Sequence, residues 1–206
     1  MILLRFLAVR SVVFLAAAAS LSACSDRESP APGDRVGVAS APMTPDSSAG
    51  MAAMSGMTDM TGDPDHDFLR MMSQHHKGMV AMAHLTKERA EKLAVRSIAS
   101  RIDTKQDAEL DTMLTMLEKD FKDPYTPKIM PEHQAMVDEL KGKHGADYDR
   151  AFLQNTIKHH GEAVKMIDGY LSKAKNTSLM MMAERMKADQ NKEIREYRAK
   201  LSDMGA

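Results

Sequence analysis

One pattern is written twice in this chain. Residues 68–80 read FLRMMSQHHKGMV and residues 152–164 read FLQNTIKHHGEAV. Each copy opens on Phe-Leu and reaches two adjacent histidines seven residues after the Phe. The offset is 84 residues (152 minus 68), and it continues without a gap. Met82 maps to Met166, Ala99 to Ala183, Arg101 to Arg185, Gln106 to Gln190, Glu109 to Glu193 and Leu117 to Leu201. Such a chain has to fold into two equivalent halves, and duplicated paired histidines imply a site, or two sites, built by symmetry.

The halves read as helical. From residue 65 onward the sequence is rich in Ala, Leu, Met, Glu, Lys and Arg, has few aromatics and no Trp, and shows no β-branched alternation. Four long helices are expected, at about residues 65–85, 90–119, 147–172 and 178–203. Phe68, Met71, Met72, His75, Met79 and Met82 share a face of the first. Leu93, Ile98, Ile102, Gln106, Leu110, Met113 and Leu117 face inward on the second. Leu179, Met182, Met186, Gln190, Ile194, Tyr197 and Leu201 do so on the fourth, which Asn176-Thr177-Ser178 would cap. A shorter amphipathic helix, residues 131–141, opens on Pro131 in the crossover. The expected fold is an all-α four-helix bundle of the ferritin-like kind, made of two repeated hairpins and a short crossover helix.

The N-terminus has the form of a lipoprotein signal peptide over residues 1–23. Arg5 and Arg10 are its positive region, and the uncharged run at residues 11–23 is too short for a permanent span. It ends in Leu21-Ser22-Ala23-Cys24, with small residues before the chain's one cysteine. Cys24 would be the acylated first residue of the mature protein; an ordinary cleaved signal is the alternative. Ser25 fits sorting to the periplasmic face of the outer membrane in a cell with two membranes.

Residues 24–64 are expected to form a disordered Met-rich tether. Pro, Gly, Ser and Ala dominate, and such a stretch cannot bury enough apolar surface to offset its ordering entropy. Met51, Met54, Met57 and Met60 recur at every third position with no other large apolar residue among them. Thioethers are soft donors that favour Cu(I), and a flexible run can wrap such an ion. The alternative is a nascent helix with a methionine stripe.

The candidate ligands in the bundle are His75, His76, His159 and His160. Adjacent helical residues point about 100° apart, so within each pair one can face the bundle centre and the other a groove between helices. In the first copy Met71, Met72, Met79 and Met82 lie one or two turns from the histidines. In the second, Asn155, Thr156 and Ala163 replace three of these and Met166 alone is kept. The first copy is therefore the softer. Gln106 and Gln190 interrupt apolar stripes, with Glu109 and Glu193 one turn later. They either orient ligating histidines or act as alternative ligands, or they fix the register of the bundle. Asp65-His66-Asp67 is either a small metal cluster or a helix start. His84, His133 and His144 have no repeat partner and read as surface residues unless they cluster.

The doubled F-x6-H-H block, the downstream Q-x-x-E and the crossover ELKGKHGADYDRAFL resemble the bacterial family of domain of unknown function 305, over residue 65 to the C-terminus. The resemblance implies a ferritin-like four-helix bundle, export and, for some members, copper binding. It makes His75, His76, His159 and His160 the recurring residues, with Gln106, Glu109, Gln190 and Glu193 as a second set. The departure is Asn155-Thr156, where the family often has a methionine.

The function expected is that of a metal-binding lipoprotein of the cell envelope, not an enzyme, which sequesters or hands on copper. A ferritin-like oxidoreductase with iron or manganese is one alternative. It is poorly supplied, since such centres use about four carboxylates and two Glu-x-x-His motifs. A structural or pH-sensing envelope module without metal is another. Nucleic-acid binding is not expected: the net charge is −1 and no basic patch is interleaved with aromatics. The oligomeric state is not legible.

Overall fold

The computed structural model describes residues 60–205. Its helices are α1 (Pro64–Arg89), α2 (Leu93–Phe121), α3 (Pro131–Lys141), α4 (Gly145–Leu171) and α5 (Thr177–Asp203). Among the described residues there is no strand, and a lone bridge pairs Ala90 with Gly145. No described helix is long and apolar enough to cross a membrane. The all-helical bundle expected from the repeat is present. α1 and α2 form one hairpin, α4 and α5 the other, α1 packs on α4, and the crossover helix α3 lies against both. Cys24, Met51, Met54 and Met57 lie outside the described residues, and Met60 is exposed.

Local chemistry explains the helix ends. Asp63 caps α1 by accepting from the backbone N–H of Asp65 and His66, and Pro64 occupies the first turn, where no N–H is needed. Asn176 caps α5 through the N–H of Leu179, within the expected capping region. α2 ends at Lys122, whose φ of 56° is left-handed. Leu93 does not face inward as its spacing suggested. It is 78 % exposed, because it is the first residue of α2 and the buried stripe begins two residues later, at Val95.

The two hairpins are tied by a reciprocal clasp. Asp65, at the start of α1, accepts from the backbone N–H of Lys175 and Asn176 at 3.1 and 3.0 Å. Asp149, at the start of α4, accepts from the N–H of Glu91 and Lys92 at 3.1 and 2.8 Å. Asp65 and Asp149 are repeat mates, and so are the two receiving turns. Each buried carboxylate thus satisfies N–H groups in the opposite hairpin's turn, and the repeat becomes a pseudo-twofold relation in space.

The core is divided. One apolar cluster holds Met79, Met82, Ile98, Ile102, Met136, Val137, Leu140 and Phe152. The other holds Phe68, Met72, Met113, Leu117, Ile167, Leu179 and Met186. Along each long helix the switch from one cluster to the other falls at a buried polar residue: His75 and His76, Gln106, His159 and His160, and Gln190. A polar belt therefore crosses the middle of the bundle.

Candidate metal centre

His75 on α1 and His159 on α4 occupy the centre of that belt. They are repeat mates, their ring centroids are 3.7 Å apart, and both are buried. A third ring completes the group. His133, on the first turn of α3, lies 4.6 Å from His75 and 4.5 Å from His159 by ring centroid and is 1 % exposed. One ring nitrogen from each of the three falls within 4.8 Å of the others. His133 is thus not a surface residue. The sequence signal was there: His133, Met136, Val137 and Leu140 follow helical spacing and form the buried face of α3. The repeat could not reveal it, because α3 belongs to neither copy.

Hydrogen bonds settle the tautomers of two of the rings. His159 donates through Nε2 to the backbone carbonyl of His75 at 2.9 Å, and its Nδ1 has no partner. His133 lies with Nε2 3.2 Å from Glu162 Oε2, and its Nδ1 too has no partner. A carbonyl or carboxylate oxygen only accepts, so Nε2 carries the proton in each neutral ring and Nδ1 keeps its lone pair. Neither nitrogen of His75 has a hydrogen-bond partner. Leaving such groups unpaired costs about 1–3 kcal/mol each, and native interiors rarely tolerate it. Three buried imidazoles whose ring nitrogens come within 4.8 Å of one another could hold a metal ion, and two of them have one nitrogen fixed by a hydrogen bond, as ligating histidines require.

The electrostatics agree. Burial, and then the neighbouring His133, His76 and His160, hold His75 well below the ordinary histidine pKa. Burial, and then His75, His133 and His160, do the same for His159. Both rings are neutral at physiological pH, so a cation displaces no proton from them.

His76 and His160 turn the other way, each toward its own hairpin partner. His76 Nε2 lies 2.9 Å from Glu109 Oε2, and His160 Nε2 lies 2.9 Å from Glu193 Oε2. Burial pushes the Glu193 carboxyl up, but His160 and Lys105 outweigh it and hold the group below the usual carboxylate range. Glu109 and Glu193 therefore meet the outer histidines and not the central trio. Gln106 and Gln190 are buried beside this layer, and both retain unpaired amide atoms. Met71, Met72, Met79 and Met82 are buried along α1 on either side of His75, and Met166 is half-buried.

The Asp65-His66-Asp67 run does not converge. Asp65 holds the turn before α5 and the Tyr170 hydroxyl, and Asp67 binds Thr61 and Gly62. His66 stacks on Phe121 and contacts Asp123. His84 is exposed beside Asp103, and exposed His144 accepts from Arg89.

The family model described as domain of unknown function (DUF305) matches residues 65–201. Among solved structures, a secreted protein of that family from Streptomyces coelicolor superposes with a TM-score of 0.64 at 24% identity, covering 70% of this chain and 94% of that one. A fragment from Deinococcus radiodurans gives 0.61 at 28%, covering 68% and 96%. CopM in its Cu(II)-bound form gives 0.61 at 24%, covering 68% and 96%. No functionally curated protein matches the chain.

Proposed function

We infer that this chain, which belongs to the DUF305 family, binds copper at His75, His133 and His159 and serves to sequester it or hand it on. The observation that carries this reading is the meeting of three buried imidazoles, each with a ring nitrogen that has no hydrogen-bond partner. Imidazole suits copper, zinc, iron and nickel alike. Two things favour copper. CopM, which shares the fold, has been solved in Cu(I)-, Cu(II)- and Ag-bound forms. The helix that carries His75 also carries four buried methionines, and thioethers favour Cu(I).

The chain's own groups account for capture. Glu162 and the His75 carbonyl hold the outer nitrogens of His133 and His159, so two lone pairs are presented without a search over tautomers. Burial excludes water, which suits a soft ion better than a strongly hydrated one. A dinuclear iron or manganese centre does not fit this donor set. The trio contains no carboxylate, and the belt's two glutamates are engaged by His76 and His160.

The sequence supports an envelope setting, with residues 1–23 as export signal and Cys24 as the site of lipid attachment. Met51, Met54, Met57 and Met60 then form a first, loose capture segment ahead of the histidine site. Titration with Cu(I) and Cu(II) against a chromophoric competitor tests the reading. The bundle should bind one ion tightly, and the His75→Ala/His133→Ala/His159→Ala variant should lose it. A folded triple variant that binds copper as tightly as the parent overturns the assignment.

A further inference from the structure

Position 78 of the first copy and position 162 of the second are repeat mates, yet one is Gly78 and the other Glu162. Both meet the same residue, His133. A Cβ built on Gly78 would lie 2.6 Å from His133 Cβ and 2.8 Å from its Nδ1, closer than real side chains approach. Glu162, one helix away, contacts His133 Nε2 at 3.2 Å. The crossover helix thus meets two equivalent positions that differ in opposite senses. One is stripped to hydrogen and the other extended to a carboxylate.

We propose that Gly78 and Glu162 are the positioning pair of the metal site: Gly78 admits the ring of His133, and Glu162 holds its Nε2–H so that Nδ1 keeps a free lone pair. The inference rests on the copper reading above and deepens it, because it names what makes a two-histidine repeat into a three-histidine site. The repeat alone supplies His75 and His159, related by symmetry. The third ligand comes from outside the repeat and needs the symmetry broken where it enters. Gly78 sits in the interior of α1, where glycine is less favourable than alanine. The close approach of α3 explains why that cost is kept.

The test has two arms. In the metal-free full chain, long-range ¹H–¹⁵N NMR of the imidazoles reports the tautomer of His133 without reference to any metal. The parent should show Nε2–H alone. Glu162→Ala should populate both tautomers, and Glu162→Gln, whose amide oxygen accepts the same bond, should restore the parent pattern. In the second arm Cu(I) affinity is measured by competition. Glu162→Ala should weaken binding by about 10–100-fold, as for other groups that orient a ligating histidine, and Glu162→Gln should recover most of it. Gly78→Ala should keep parental helix content by circular dichroism and lose at least as much affinity. A parental tautomer in Glu162→Ala, or parental Cu(I) affinity in both Glu162→Ala and Gly78→Ala, overturns the proposal. If the parent binds no copper, the copper reading fails, and the tautomer arm still decides the positioning role.

Discussion

His159 donates through Nε2 to the backbone carbonyl of its own repeat mate, His75, at 2.9 Å. The bond is not reciprocated: the ring of His75 has no hydrogen-bond partner at either nitrogen. Two residues equivalent in sequence therefore play unequal parts, one fixed in tautomer and the other uncommitted. The centre of the bundle is where the symmetry of the fold gives way to the asymmetry of a ligand set.

That asymmetry has an energetic consequence. No protein group bonds either ring nitrogen of buried His75, and a buried polar group left unsatisfied costs about 1–3 kcal/mol. Replacing it by an apolar side chain of similar size should stabilise the metal-free fold. His75→Leu should raise the urea midpoint by an amount corresponding to about 1–2 kcal/mol, while abolishing stabilisation by copper. A lower midpoint for His75→Leu would mean that the ring has partners in solution.

The metal-free protein should weaken in acid. Folded, His75 and His159 are held well below the ordinary histidine value by burial first and neighbouring imidazoles second. Unfolded, they titrate near pH 6.5. Below that pH the unfolded chain takes up protons that the folded chain refuses. Their stabilising contribution is therefore fully present above pH 6.5 and is lost progressively below it, by up to about 1.4 kcal/mol per pH unit for each ring. Urea unfolding at pH 7.5 and pH 5 checks this. The His75→Leu/His159→Leu variant should show a shallower slope, and equal slopes would contradict the prediction.

The reciprocal clasp can be tested apart from the metal. Asp149→Ala removes the acceptor of two backbone N–H groups, Glu91 and Lys92, and should cost about 2–4 kcal/mol. Asp65→Ala should cost at least as much, since it also strands the Tyr170 hydroxyl. The midpoint should fall while helix content below the transition is unchanged. A loss below about 0.5 kcal/mol in either variant would show the turns held by other contacts.

Copper should pin the crossover. His133 is on the first turn of α3, just after a segment without regular structure, residues 122–130. An ion held by His75, His133 and His159 joins α3 to α1 and α4. At 100 times Kd it should stabilise the fold by about 2.7 kcal/mol. Amide exchange in residues 131–141 should slow on loading, and His133→Ala should remove that protection. Protection unchanged by loading would place the ion elsewhere.

Much of this arrangement was legible before the structure. The repeat fixed two hairpins, and stripes such as Ile98, Ile102, Gln106 and Leu110 placed the buried faces, because helical periodicity is a local signal. Pairs across space were not legible. That Asp65 holds the turn at Lys175, and Asp149 the turn at Glu91, depends on how one hairpin packs on the other. His133 was hidden for the same reason. Its role needs α3 to press against Gly78, and a glycine inside a helix does not say what approaches it. The adjacent histidines could be assigned different directions from the helical turn alone, but not which of them would meet Glu109 or Glu193.

The most direct measurement is a crystal structure of the copper-loaded protein with anomalous scattering recorded at the copper edge. The principal peak within the bundle should lie inside the triangle of His75, His133 and His159, facing the Nδ1 atoms of His133 and His159. A principal peak against His76 and Glu109, against His160 and Glu193, or among the methionines with the triangle empty would contradict the three-histidine site.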